Sequence, residues 1–164
     1  MRNNPFAILF VIPATFAFGL GVMVMPLPET LAPWRPEWLA MTVLYWNMAL
    51  PRRVGVGTAW LAGLLLDVAR GALLGQHALA LALIAWIAIR LHQRIRVFPV
   101  WQQAISVGGL LSLYLLLILW VDGITGHAPG TGLHWAPLVT SALCWPLVFV
   151  LLRGVRRRWC PHLA

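Results

Sequence analysis

The sequence predicts an all-α polytopic membrane protein with six transmembrane helices and both termini in the cytoplasm. Three observations predict it. Apolar residues make up 61% of the 164 residues and charged ones only 10%, against roughly 25% charged in an ordinary soluble domain. The uncharged stretches 3–28, 38–51, 54–66, 71–89, 97–121 and 123–152 are separated by short charged connectors. Threaded with the amino terminus inside, these stretches bring Arg2, Arg52, Arg53, Arg90, Arg94, Arg96, Arg153, Arg156, Arg157 and Arg158 to one face and leave only Arg35 and Arg70 on the other. Arginine collects in short cytoplasmic connectors, and a soluble fold has no reason to sort it at every second turn. The same sorting accounts for the net charge of +8 without nucleic acid as a partner.

The first span covers 5–25, with Pro13 set to kink it. It follows Arg2 as a signal peptide would, yet it is too long for one, and Pro26-Leu27-Pro28-Glu29 offers no small-residue cleavage site. A retained helix is expected. The second and third spans, 38–51 and 54–66, are short: at about 1.5 Å per residue each covers roughly 20 Å, less than the ~30 Å hydrocarbon core. Either they extend through Trp34-Arg35-Pro36-Glu37 and Asp67-Val68-Ala69, or they tilt and pack inside the bundle. Pro51-Arg52-Arg53 forms the tight cytoplasmic turn between them. The fourth, fifth and sixth spans, 71–89, 100–121 and 135–152, have full length. Pro137 suits the first turn of the sixth and Pro146 should bend it. The longest connectors, 26–37 and 122–134, lie outside, so residues 1–164 form a single integral membrane bundle with no room for a soluble domain.

Tryptophan marks the expected borders. Trp34, Trp38, Trp120 and Trp135 fall at outer helix ends and Trp101 and Trp159 at inner ones, an interfacial belt. Trp46, Trp60, Trp86 and Trp145 lie within spans, where each indole N–H needs a partner. The carboxy-terminal cluster Arg153, Arg156, Arg157 and Arg158 should lie against anionic headgroups. Cys144 falls within the last span and Cys160 in the tail, depths too different for a disulfide, so both are expected as free thiols.

Ala59, Gly63, Asp67, Gly71 and Gly75 recur at intervals of four. The first three share one face of the third helix, while Gly71 and Gly75 belong to the next helix or the turn before it. Small residues at this spacing let another helix approach closely, so the stripe is a candidate helix-packing or partner surface. Asp67 is the only acidic residue expected within a span, and an ionisable group there is a functional candidate. An i,i+3 pair with Arg70, a helix-end role, or a partner contact all fit it. His77, His92, His127, His134 and His162 show no metal or base–nucleophile spacing. Paired carboxylates, a phosphate loop and a Ser/His/Asp set are also missing from the sequence, so neither an enzyme nor a cofactor is expected.

The runs Leu44-Tyr45-Trp46 and Ala49-Leu50-Pro51-Arg52-Arg53-Val54-Gly55-Val56-Gly57-Thr58 closely resemble the MreD family of rod-shape-determining proteins. So do Gly63-Leu64-Leu65-Leu66-Asp67 and Gly71-Ala72-Leu73-Leu74-Gly75-Gln76-His77-Ala78. Arg94-Ile95-Arg96, Phe98-Pro99 and Trp101-Gln102-Gln103-Ala104, with Pro36, Trp38 and Trp145-Pro146, extend the likeness. The resemblance implies a multi-pass protein of the bacterial inner membrane within the rod, or elongation, complex. That complex includes single-span MreC, filament-forming MreB, the glycosyltransferase RodA and a penicillin-binding transpeptidase. It implies a bundle similar to the substrate-binding subunits of ECF transporters, and no catalytic residues. The expected function is a noncatalytic scaffold that binds MreC and helps control cell shape and lateral peptidoglycan synthesis. The alternative is a small-molecule binding membrane subunit, with Trp60, Asp67 and His77 near the mouth of a cavity.

Overall fold

A computed structural model describes residues 7–126 and 132–159, which are helical throughout apart from their connections. Six α-helices follow one another: α1 Ala7–Val24, α2 Trp38–Ala49, α3 Val56–Arg70, α4 Gln76–Val97, α5 Val100–Ile124 and α6 Ala136–Trp159. Short 3-10 turns, Ala32–Trp34 and Gly132–Trp135, precede α2 and α6. The helices Gln76–Val97, Val100–Ile124 and Leu133–Trp159 (the last counted with its leading turn) are long and apolar enough to cross a membrane. Their outward faces fit hydrocarbon, since Val97, Leu116, Leu143 and Val150 are all exposed.

The second helix stays short and packs inside. Ten of the twelve residues of α2, Leu39 to Met48, are buried, because α1, α4, α5 and α6 all pack against it. A helix apolar on every side has no face for solvent, and this one forms the axis of the core with Trp46, Leu81, Ile84, Leu111 and Trp145. Trp46 donates its indole N–H to Thr15 Oγ1 of α1 at 2.9 Å. The third helix instead extends, running through Asp67, Val68 and Ala69 to Arg70.

Charge does not end the later helices. The fourth starts five residues later than its apolar stretch and continues through Arg90, Arg94 and Arg96 to Val97. The sixth continues through Arg153, Arg156, Arg157 and Arg158 to Trp159, and the fifth includes Asp122. Arginine is a good helix former and, in the last turn, faces the negative end of the helix dipole.

The helices alternate in direction. One end of the bundle gathers the carboxy-terminal parts of α3 and α5 with the amino-terminal parts of α2, α4 and α6 around a cavity. The other gathers the carboxy-terminal parts of α2, α4 and α6 with the start of α5. Glu29, Glu37, Asp67 and Asp122, all the acidic side chains of the chain, belong to the first, acidic end. Among the described arginines only Arg35 and Arg70 join them there. Arg2, His127, Cys160 and His162 lie outside the described residues, while Cys144 is a half-buried free thiol.

The closest helix contact is α3 on α4. A Cβ placed on Gly63 would stand 2.6 Å from the Ala78 backbone nitrogen and 2.8 Å from the His77 carbonyl carbon, distances that no side chain tolerates. Gly57, on the same helix, has open space around it. Gly63→Ala should therefore destabilise the detergent-solubilised protein by about 1–3 kcal/mol through overpacking, whereas Gly57→Ala should be neutral or slightly stabilising. Thermal unfolding reads both; equal melting temperatures for Gly63→Ala and the unmodified chain would contradict this packing.

Candidate functional site

The acidic end is built around Asp67, which is fully buried. It sits in the last turn of α3, and the chain then turns through Gly71 and Gly75, whose φ angles are 64° and 100°. Such left-handed backbone favours glycine. The Gly71 N–H bonds back to Val68 O and the Ala72 N–H to Asp67 O, which closes α3 in a Schellman arrangement. The turn returns the chain so that α4 begins directly over the Asp67 side chain.

Four donors converge on that carboxylate. The Gly75 N–H reaches Oδ2 at 2.8 Å, the His77 N–H reaches Oδ1 at 2.9 Å, and the Ala78 N–H reaches Oδ2 at 3.3 Å. The His77 ring nitrogen Nδ1 lies 2.7 Å from Oδ1; an ionised carboxylate only accepts, so Nδ1 carries the hydrogen. The first N–H groups of a helix have no partner within the helix, and Gly75 at the N-cap has no side chain to offer. Asp67 supplies the cap from the preceding helix, with its charge at the positive end of the α4 dipole.

Other polar contacts stitch the remaining helices at this end. Gln76 donates its amide to Asp122 Oδ1 of α5 at 2.7 Å. The Glu37 N–H, at the start of α2, donates to Ser141 Oγ of α6 at 2.9 Å. His134 Nε2 lies 3.0 Å from Leu115 O. The Arg35 guanidinium donates to Met23 O and Met25 O, which satisfies carbonyls at the end of α1.

Between these contacts lies a cavity of about 810 Å³, lined by Arg35, Glu37, Arg70, Tyr114, Asp122 and His134 among others, with His77 in its wall. Arg35 Nε is buried without a hydrogen-bond partner among the described residues, while the buried Glu37 carboxyl and Tyr114 hydroxyl lie within reach of one another. Unpaired buried polar groups are costly. These side chains stand around one opening.

The sequence-predicted stripe divides. Ala59, Gly63 and Asp67 are buried on α3, Gly63 and Asp67 against α4 of the same chain, while Gly71 and Gly75 shape the turn. Asp67 pairs with His77 rather than with Arg70, which lines the cavity instead. His77 does reach the cavity, but Trp60 is half-exposed on α3 and takes no part in its lining. Sequence reasoning missed Glu37 and Asp122 as site residues. It also left His77 without its partner; the available signal was a glycine-started helix, which needs a cap from elsewhere.

The fold and site define a membrane-associated helical bundle, closed at its acidic end by buried polar pairs. The family model described as rod shape-determining protein MreD matches residues 4–155. A curated relative, rod shape-determining protein MreD of Haemophilus influenzae, is 32% identical over 152 residues, covering 91% of this chain and 92% of that protein. The chain belongs to the MreD family of rod shape-determining proteins. No solved structure matches it.

The donor geometry sets a test. Asp67→Ala removes the acceptor for three backbone N–H groups and one imidazole, and should cost several kcal/mol, at about 1–3 kcal/mol for each buried donor left unsatisfied. Asp67→Asn keeps the shape but turns an NH2 group toward N–H donors on one side, so it should destabilise nearly as much. Thermal melts of both variants check this; an Asp67→Asn protein as stable as the unmodified chain would mean the carboxylate is not needed as a double acceptor.

Proposed function

We propose that this protein is a noncatalytic scaffold of the bacterial rod complex that binds MreC directly and helps position lateral peptidoglycan synthesis. The observation that carries the reading is the family match across residues 4–155. In this reading all six helices span the inner membrane as one bundle, with both termini and the arginine end in the cytoplasm. MreB, RodA and a penicillin-binding transpeptidase are the further members of the assembly. The reading extends to a six-helix arrangement of the ECF substrate-binding type, as a matter of fold alone. The local chemistry supports a holding role, since Asp67 and His77 spend their polar atoms on joining α3 to α4.

Gly63 cannot receive a partner helix, because Ala78 already fills its face. We therefore propose the cavity of the acidic end as the surface that receives MreC. Its mixed charge and the Glu37, Tyr114 and Arg35 side chains along its wall suit a polypeptide carrying both donors and acceptors.

Coexpression with MreC, copurification in detergent and native mass determination test the reading. A stable complex of defined stoichiometry is expected. Tyr114→Phe and Arg70→Ala should remain folded while retaining several-fold less MreC, by the loss of one or two interfacial hydrogen bonds of about 1 kcal/mol each. A folded protein that ignores MreC would refute the scaffold reading, and unchanged complex with both variants would refute the cavity as its contact.

A further inference from the structure

The arginine end holds a second, smaller cavity of about 380 Å³ between α2, α4, α5 and α6. Its wall carries four guanidinium groups, Arg96 from α4 and Arg153, Arg156 and Arg157 from α6. The nearest candidates for counter-ions would be aspartates and glutamates, and all four of those belong to the opposite end of the bundle. Arg156 Nε is buried without a hydrogen-bond partner among the described residues. The hydroxyl of buried Tyr45 lies within electrostatic reach of Arg96, Arg153 and Arg156. The rest of the lining is apolar, including Met48, Ile95 and Phe149, with the Arg153 guanidinium 5.9 Å above the Phe149 ring.

We propose that this cavity is a specific binding site for the phosphate group of an anionic phospholipid. Clustered guanidiniums bind phosphate oxygens through paired, charge-assisted hydrogen bonds. Like charges gathered around one concavity repel one another, and an anion between them removes that repulsion. A soluble anion would use only the arginines. A glycerophospholipid also uses the apolar wall, and its acyl chains can continue along the exposed apolar face of α6, where Leu147, Val150 and Leu151 are open. Trp101 and Trp159, both exposed at this end, set the cavity at the headgroup level, where such side chains reside. The site differs from the diffuse attraction of a basic tail to a charged surface, because its arginines come from two helices and surround a single concavity.

The test is native mass spectrometry of the full chain in detergent, titrated with phosphatidylglycerol, phosphatidylcholine or inorganic phosphate. The paired variant Arg153→Gln/Arg156→Gln should reduce phosphatidylglycerol adducts by about tenfold, the loss expected on removing a charged hydrogen-bond donor. Arg52→Gln/Arg53→Gln removes the same charge from the turn between α2 and α3 and should leave the adducts unchanged. Arg96→Gln, on a different helix, should also lower binding and serves if the paired variant does not fold. Equal losses in the Arg52/Arg53 control would reduce the effect to general surface charge and overturn the proposal. So would phosphatidylcholine binding as well as phosphatidylglycerol, or inorganic phosphate displacing it at equal concentration. Undiminished phosphatidylglycerol on the Arg153/Arg156 and Arg96 variants would also overturn it.

Discussion

The carboxylate of Asp67 under the first turn of α4 is the interaction on which the acidic end depends. It links two consecutive helices by three backbone N–H groups and one imidazole, and so fixes both where α4 begins and how near it lies to α3. That proximity requires Gly63, which in turn brings the Ala78 backbone against α3. Once α4 is set, Gln76 can meet Asp122 of α5, and His77 can take its place in the cavity wall. An acid placed in an apolar setting would ordinarily be expensive. Its full set of donors makes it the organising group instead.

The two ends of the bundle handle charge differently. At the acidic end, polar side chains meet one another across helices, and even Arg35, on the minority face for arginine, is employed at the end of α1. At the arginine end the guanidiniums have no acidic side chain to meet among the described residues. There they stand in the last turns of α4 and α6, stack on aromatics such as Trp86 and Phe149, and line a concavity together. One end mixes charges of both signs, whereas the other has no acidic side chain.

Much of this plan was legible in the sequence. Pro51-Arg52-Arg53 marked the break between α2 and α3, and the shortness of 38–51 already raised the prospect of an internal helix, which α2 is. The boundaries of α4 and α6 were less legible because a run of apolar residues reports the surrounding medium, whereas helix ends follow hydrogen bonding and caps. Asp67 stood out by its charge and setting. Its partner did not, because a cap that reaches across a turn leaves no i,i+3 or i,i+4 trace. Glu37 and Asp122 looked like loop and helix-end residues; only the meeting of α2 with α6 and of α4 with α5 buries or pairs them.

The central position of α2 also constrains the order of assembly. A chain is made from its amino terminus, so Leu39 to Met48 emerge before α4, α5 and α6 exist to cover them. The α3–α4 hairpin can close on its own as soon as it is made, since Asp67 and Ala78 are eleven residues apart and short loops close at little entropic cost. The helix at the axis must instead wait, partly wrapped by α1, until the second half of the chain arrives. The last helix synthesised, which brings Trp145 and Val148 into the core, is thus the one that seals the first half in place.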